Sequence, residues 1–215
     1  MFSSRLAILG AAVAFLSLVS LHVLSPEYSP AWRMVSEYAN GQYAWVLSLM
    51  FAAFGLSELA LAVGLQPLLA TRSGRVGLVT LGIAGIAGAS AAVFDLNQVV
   101  LHELAGIIGI FGLPIAAVLI SRELGQRLLR LLAHLTWISV VLWIATFGLM
   151  IATFTSATGG LAPEPPAQLP AGVIALVGWT NRLMLVASWA WGTAVAWYVL
   201  RQSEHGVLHA EFQLS

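Results

Sequence analysis

Six long apolar segments constrain the fold of this chain more than any other feature. A helix that crosses about 30 Å of hydrocarbon needs roughly 20 mostly apolar residues. Lipid offers the backbone no hydrogen bonds, so only helices and closed barrels can cross it. The apolar segments cover about residues 6–24, 43–65, 76–94, 104–120, 132–154 and 177–200. The sequence therefore predicts one all-α domain over residues 1–215, an integral membrane bundle of six transmembrane helices.

Composition excludes several classes of protein. Charged residues make up 8% of the chain and hydrophobic residues 60%, whereas a soluble domain carries about 25% charged residues. All nine basic residues are Arg, and the chain has neither Lys nor Cys. These numbers exclude a disordered chain, a disulfide scaffold, a phosphate-binding P-loop and a nucleic-acid binder with a basic face. We expect membrane lipids as partners and no nucleic acid.

The distribution of Arg predicts the orientation of the bundle. Arg33 and Arg182 fall at one end of the predicted helices, and the other seven Arg fall at the opposite end. Because basic residues concentrate in cytoplasmic loops, we predict a multi-pass protein of the cell (inner) membrane with both termini in the cytoplasm. Residues 25–42 then form a short extracytoplasmic helix or loop at the membrane interface, and residues 202–215 form a cytoplasmic tail. We expect the first helix to remain uncleaved.

The third and fourth segments are rich in small residues. The glycines are Gly74, Gly77, Gly82, Gly85 and Gly88 in the third, and Gly106, Gly109 and Gly112 in the fourth. Small residues let helices approach closely in lipid. We therefore expect close packing of these helices within the chain, and a homo-oligomer formed through them is possible on the same grounds.

The predicted outer end of the bundle collects unusual polar residues from three separate stretches. Ionisable side chains at the ends of transmembrane helices are energetically costly unless they are paired or hydrated, so they are candidates for a functional role. The candidates for acid and base chemistry are Asp95, His102 and Glu37. The candidates for binding are Arg33, Ser36, Tyr38, Asn181 and Arg182. A short helix opened by Ser29 and Pro30 is expected to place Arg33 four residues from Glu37, at pairing distance.

The same residues suggest a divalent metal as a cofactor. His22, Asp95 and His102 are oxygen and nitrogen donors of the kind that zinc or manganese accepts, and Glu37 could complete the set. No HExxH motif supports this interpretation. The alternative is that Asp95 caps a helix or pairs with Arg182, and that His102 makes a hydrogen bond with a loop carbonyl.

Two further ionisable residues fall inside the predicted helices. Glu58 lies in the second helix and His134 in the fifth. They could pair across helices or form one step of a proton path. Glu58 could equally reach Arg72 or Arg75 at the predicted cytoplasmic end.

Three stretches carry a family resemblance. They read HVLSPEYSPAWRMVSEYANG from His22, FDLNQVVLHELAG from Phe94 and WTNRLMLVASWAWG from Trp179. Together they resemble a bacterial and archaeal six-span family described as domain of unknown function nine-nine-eight. The pattern is also distantly similar to the Frag/DRAM/Sfk membrane families, which are tied to lipid remodelling, lipid asymmetry and autophagy. The resemblance implies the six-span fold, the topology and an outer polar site, and it implies no reaction.

Three functions are compatible with this sequence. The first is binding or processing of a lipid, in which Arg33 or Arg182 meets a phosphate and acyl chains lie between helices. The second is a small transporter or proton-coupled carrier that uses Glu58 and His134. The third is an accessory or structural subunit without chemistry of its own.

Overall fold

A computed structural model describes residues 1–94, 96–160 and 168–213, with side chains described as far as Ser203. The described chain is helical and has no strand. Six of its helices are long and apolar enough to cross a membrane, which confirms the predicted fold class. They are α1 (Phe2–Leu24), α2 (Ala44–Leu65), α3 (Arg72–Ser90), α4 (Val99–Leu124), α5 (Arg127–Thr158) and α6 (Val177–Gln213). Short 3₁₀ helices cover Val35–Asn40, Gln66–Leu68 and Leu96–Gln98.

The six helices form a closed ring in chain order. Each packs against the next, and α6 returns to pack against α1. Helix α2 also contacts α6 across the ring. We call the end of the bundle that carries Val35–Asn40 and the start of α6 the loop end. Met1 and the α2–α3 connection lie at the opposite end.

The α2–α3 connection is held by a carboxylate from α4, which explains why α3 begins earlier than its apolar pattern. Glu123 accepts hydrogen bonds from the backbone N–H groups of Ala70 and Thr71 at 2.7 and 2.9 Å, and from the Thr71 hydroxyl at 2.6 Å. Thr71 in turn accepts from the Gly74 N–H at 3.0 Å. This capping satisfies N–H groups at the start of the helix, so α3 starts at Arg72.

The first loop differs from its prediction. No helix starts at Pro30, and the 3₁₀ helix begins only at Val35, because Glu37 accepts from the Met34 N–H at 2.7 Å and caps it there. Val35 and Tyr38 are buried beneath it. This segment therefore packs onto the bundle. At the other terminus, α6 continues as helix into the predicted tail.

Small residues bring α2 and α3 together at Gly55, which lies outside the two glycine-rich segments of the sequence, and at Gly85, which belongs to one of them. A Cβ on Gly55 would lie 2.5 Å from the Gly85 carbonyl oxygen and would also collide with the backbone nitrogen of Ala89. On Gly85 it would lie 3.1 Å from the Gly55 carbonyl oxygen. Glycine at position 55 therefore permits this approach of two backbones, and a side chain at position 85 would crowd it. By contrast, a Cβ on Gly82, Gly106 or Gly109 would meet no atom within 4 Å.

Candidate functional site

The predicted site residues separate into two groups, and the first surrounds Arg182. This side chain is 5% exposed. It donates from Nε to His22 Nε2 at 2.7 Å, from Nη1 to the carbonyls of Arg33 and Gly178 at 2.8 and 3.0 Å, and from Nη2 to the Tyr38 hydroxyl at 3.2 Å. We call Arg182 and these partners the arginine cluster. It joins α1, the first loop and α6.

The hydrogen bonds of His22 fix its protonation. Nδ1 lies 2.7 Å from the Leu18 carbonyl oxygen and must donate to it. Nε2 accepts from Arg182, so the ring is neutral and both nitrogens are in use. His22 is therefore unavailable to the predicted metal site in this arrangement.

A glycine lets the first loop reach Arg182. The Gly178 N–H donates to the Ala31 carbonyl at 3.0 Å. A Cβ on Gly178 would lie 2.7 Å from the Arg33 carbonyl oxygen and would collide with the Pro30 carbonyl. Gly178 therefore allows the loop backbone to sit directly on α6, where the Arg33 carbonyl meets the guanidinium.

Arg33 and Glu37 form the predicted pair beside this cluster. Arg33 Nη1 lies 2.6 Å from Glu37 Oε2, and the Arg33 guanidinium lies 4.0 Å from the centroid of the Trp32 ring. The second Glu37 oxygen caps Met34. Both oxygens of Glu37 therefore serve the structure of the loop.

The same loop holds a tyrosine with an altered pKa. Burial raises the pKa of the Tyr28 phenol, and the Glu27 carboxylate contributes in the same direction.

The second group lines a cavity inside the ring, which we call the chamber. Its volume is about 390 Å³, within the range of small-molecule sites. It lies among α2, α3, α4, α5 and α6, beneath the start of the first 3₁₀ helix. Its larger apolar walls are Phe51, Phe54, Ile110, Leu113, Trp143, Phe147, Met184 and Leu185. Its polar side chains are Ser36, Glu58, His102, Glu103, Asn181 and Ser188.

Hydrogen-bonding groups mark the loop end of the chamber. His102 Nδ1 lies 2.8 Å from the Phe94 carbonyl oxygen and must donate to it, so Nε2 is left as an acceptor. Asn181 Oδ1 accepts from the Val35 N–H at 3.0 Å, which leaves its amide N–H groups as donors. Ser36 lies at the same end. An acceptor, a donor and a hydroxyl thus line the mouth.

Glu58 lies deeper in the chamber. It is seven residues beyond Phe51 on the same face of α2, or about 10 Å along the helix axis. The residue is 5% exposed. In the described chain its carboxyl makes neither a hydrogen bond nor an ion pair, and Gly88 provides space beside it: a Cβ there would lie 3.9 Å from Glu58 Oε2. A buried, unpartnered carboxyl is costly in hydrocarbon.

The seam between α4 and α5 is the open side of the chamber. Its α4 face includes Gly106 and Gly109, where an added Cβ would meet no atom within 4 Å. Glu103 and Ile107 line the chamber and are also exposed on the outside of α4. Trp143 and Phe147 stack on each other on the facing side of α5 with centroids 6.0 Å apart. Residues along this seam therefore both line the chamber and reach the outer surface of the bundle.

The remaining predicted residues do not join these groups. His134 is exposed on α5 and Glu58 is buried, so the predicted contact between them is not formed. Glu58 does not reach Arg72 or Arg75 either. Asp95 lies outside the described residues. Among the described residues, no three His, Asp or Glu side chains are grouped to hold a metal ion.

Sequence reasoning missed the apolar walls of the chamber. Phe51, Phe54, Trp143 and Phe147 are ordinary residues for transmembrane helices, and no pattern separates those facing lipid from those facing a cavity. A partial signal was present in Phe51, Phe54 and Glu58, which share one face of α2 at helical spacing. A carboxyl on an aromatic face is unusual for a helix that meets only lipid or packed neighbours.

Comparisons with known proteins give one match. A family model described as "Protein of unknown function (DUF998)" matches residues 8–198. Neither curated proteins nor solved structures gave a match. The match covers all six helices that can cross a membrane. This multi-pass membrane protein therefore belongs to the DUF998 family.

Proposed function

We propose that this protein binds a lipid-like amphiphile inside the chamber. The supporting observation is the chamber itself, a cavity of about 390 Å³ with aromatic and aliphatic walls and hydrogen-bonding groups at its mouth. Ligand sites in proteins combine an apolar lining with a few placed polar groups in this way. The α4–α5 seam offers a route by which a molecule dissolved in the bilayer enters.

The arrangement disfavours an anionic head group such as a phosphate. Neither Arg33 nor Arg182 lines the chamber. Arg182 uses its donors on His22, Tyr38 and two carbonyls, and Arg33 pairs with Glu37. The ligand therefore meets the Asn181 amide, the His102 imidazole and the Glu103 carboxyl at the mouth, and the Glu58 carboxyl deeper in the chamber.

Binding is better supported than carriage across the membrane. On its far side Glu58 adjoins a second cavity among α1, α2, α4 and α6, but this has a volume of about 10 Å³. Such a space holds about one water molecule. A carrier would need a wider path beyond Glu58 than this conformation offers.

Filling the chamber tests the proposal. Gly109 lines it, and a Cβ there meets open space, so Gly109→Leu should occupy the chamber without displacing α4. Saturable binding of radiolabelled decanol is measured with the protein in phosphatidylcholine nanodiscs, after subtraction of the signal from protein-free nanodiscs. We expect Gly109→Leu to weaken binding at least about tenfold, which corresponds to 1.4 kcal/mol.

Gly148→Leu is the matched control. Gly148 is exposed on α5, and a Cβ there also meets no atom within 4 Å. This variant makes the same change on the lipid-facing surface, outside the chamber, and should bind decanol like the unmodified protein. Equal binding by both variants, or no saturable binding at all, would contradict the proposal.

A further inference from the structure

The ionisable groups of the chamber are mainly acidic. Its lining contains two carboxyls, Glu58 and Glu103, and one imidazole, His102. None of the nine Arg of the chain is among the lining residues, and the chain has no Lys. An occupant that carries a positive charge therefore meets carboxyl groups that can pair with it, whereas an anion meets no Arg or Lys side chain.

Glu58 is the strongest of these features because it lacks a partner. Its side chain is more than nine-tenths buried and lines the chamber, and the described chain supplies it with no donor. Two neighbouring polar groups are satisfied, since Ser188 donates to the Met184 carbonyl at 2.9 Å and Trp191 Nε1 donates to Ser121 at 2.9 Å. The buried indole N–H of Trp143 makes no hydrogen bond within the described chain. A buried carboxyl is stabilised by a donor, and best by a cationic one.

The aromatic residues of the chamber also suit a cation. Phe51 and Phe54 precede it on the same face of α2, and Trp143 and Phe147 line the chamber from α5. The faces of aromatic rings attract ammonium groups, most strongly where water is excluded. A chamber that holds both a carboxyl and aromatic rings thus offers two kinds of attraction for a positively charged ligand.

We propose that the ligand of the chamber is a lipophilic amine, bound with its protonated nitrogen at Glu58 and its hydrocarbon part directed toward the mouth and the α4–α5 seam. This inference rests on the proposed function, since it requires the chamber to bind an amphiphile. It adds the chemical class of the ligand and the residue that recognises it. It involves no covalent step: the nitrogen donates its N–H groups to the Glu58 carboxylate.

Ten-carbon probes that differ only in their polar group test this proposal. Decylammonium, decanol and decanoate are measured as above in phosphatidylcholine nanodiscs, with protein-free nanodiscs subtracted. We expect decylammonium to bind about tenfold more tightly than decanol, because hydrogen bonds to charged groups are the stronger ones. Decanoate should bind more weakly than decanol. Equal binding of decylammonium and decanol by the unmodified protein would overturn the inference while leaving the proposed function in place.

Charge-removing variants locate the nitrogen. Glu58→Gln keeps the size of the side chain and should reduce the preference for decylammonium to within about twofold, with decanol binding retained. Glu27→Gln, which removes an exposed charge outside the chamber, should keep the full preference. If Glu103→Gln removes the preference and Glu58→Gln does not, the nitrogen lies at the mouth and the inference is wrong. If Glu58→Gln does not fold, Glu58→Asp is measured in its place. We expect its preference for decylammonium to be smaller than that of the unmodified protein, and an unchanged preference would contradict the proposal.

Discussion

The arginine cluster and the chamber both involve the start of α6 and the first loop, yet they use their polar groups in opposite ways. Arg182 makes four hydrogen bonds, and His22 uses both ring nitrogens. In the chamber, His102 uses Nδ1 and Asn181 uses Oδ1, which leaves the His102 Nε2 and the Asn181 amide N–H groups without a partner in the described chain. Glu58 also makes no hydrogen bond within the described chain. The first region satisfies most of its polar groups internally, whereas the second leaves polar groups open to the ligand that we propose.

Neighbours in the sequence belong to different regions. Asn181 lines the chamber, and Arg182, the next residue, lies in the arginine cluster. Ser36 lines the chamber, and Glu37 pairs with Arg33. Successive residues on a helix point about 100° apart. A polar motif at the start of a helix therefore serves two surfaces, and its residues should not be assigned one common role.

Loss of Arg182 should have the largest effect on stability. Arg182→Gln cannot satisfy His22, Tyr38 and two carbonyls at once. Hydrogen bonds between membrane helices average about 0.6 kcal/mol, so we expect four of them to cost about 2–3 kcal/mol, measured by equilibrium unfolding in mixed micelles. Arg130→Gln, at an exposed position on α5, should leave stability unchanged. A stable Arg182→Gln variant that lost only ligand binding would show that the cluster is part of the site.

A smaller effect is expected at the contact between α2 and α3 that forms one wall of the chamber. The added Cβ of Gly55→Ala collides with backbone atoms of α3, and overpacking of this kind typically costs about 1–3 kcal/mol. Decanol binding should weaken as well, because the wall carries Glu58 next to Gly85. Gly82→Ala meets open space and should preserve both stability and binding. Comparable losses in the two variants would argue against close packing at Gly55.

The smallest effect is expected for the pair of Arg33 and Glu37. Glu37→Gln keeps an oxygen for the Met34 N–H and removes the charge, so unfolding should become easier by about 0.5–1 kcal/mol. Glu37→Ala also removes the cap and should cost about 1 kcal/mol more. Both variants should bind decanol and decylammonium as the unmodified protein does. A large loss of ligand binding in Glu37→Gln without a loss of stability would show that Glu37 belongs to the binding site.

Parts of the site could be predicted from the sequence, and parts could not. The i, i+4 spacing predicted the pair of Arg33 and Glu37, and the alternative considered for His102, a hydrogen bond with a loop carbonyl, is the one found at Phe94. The partner of Arg182 was not predictable, because His22 lies 160 residues away on α1. Glu58 faces a cavity and does not contact His134, and this depends on how α2 and α5 are rotated about their axes.

The sequence by itself determined the membrane fold, because runs of apolar residues leave the backbone no alternative to helices in lipid. It also predicted close packing of α3 and α4, since small residues permit the approach of two backbones, and a Cβ on Gly77 would lie 3.0 Å from side-chain atoms of Leu119 and Ile120. Only the tertiary structure decided which polar side chains satisfy one another and which face an empty space. Which groups pair depends on how each helix is rotated about its axis and on which helices it contacts. The hydropathy of the sequence contains neither piece of information.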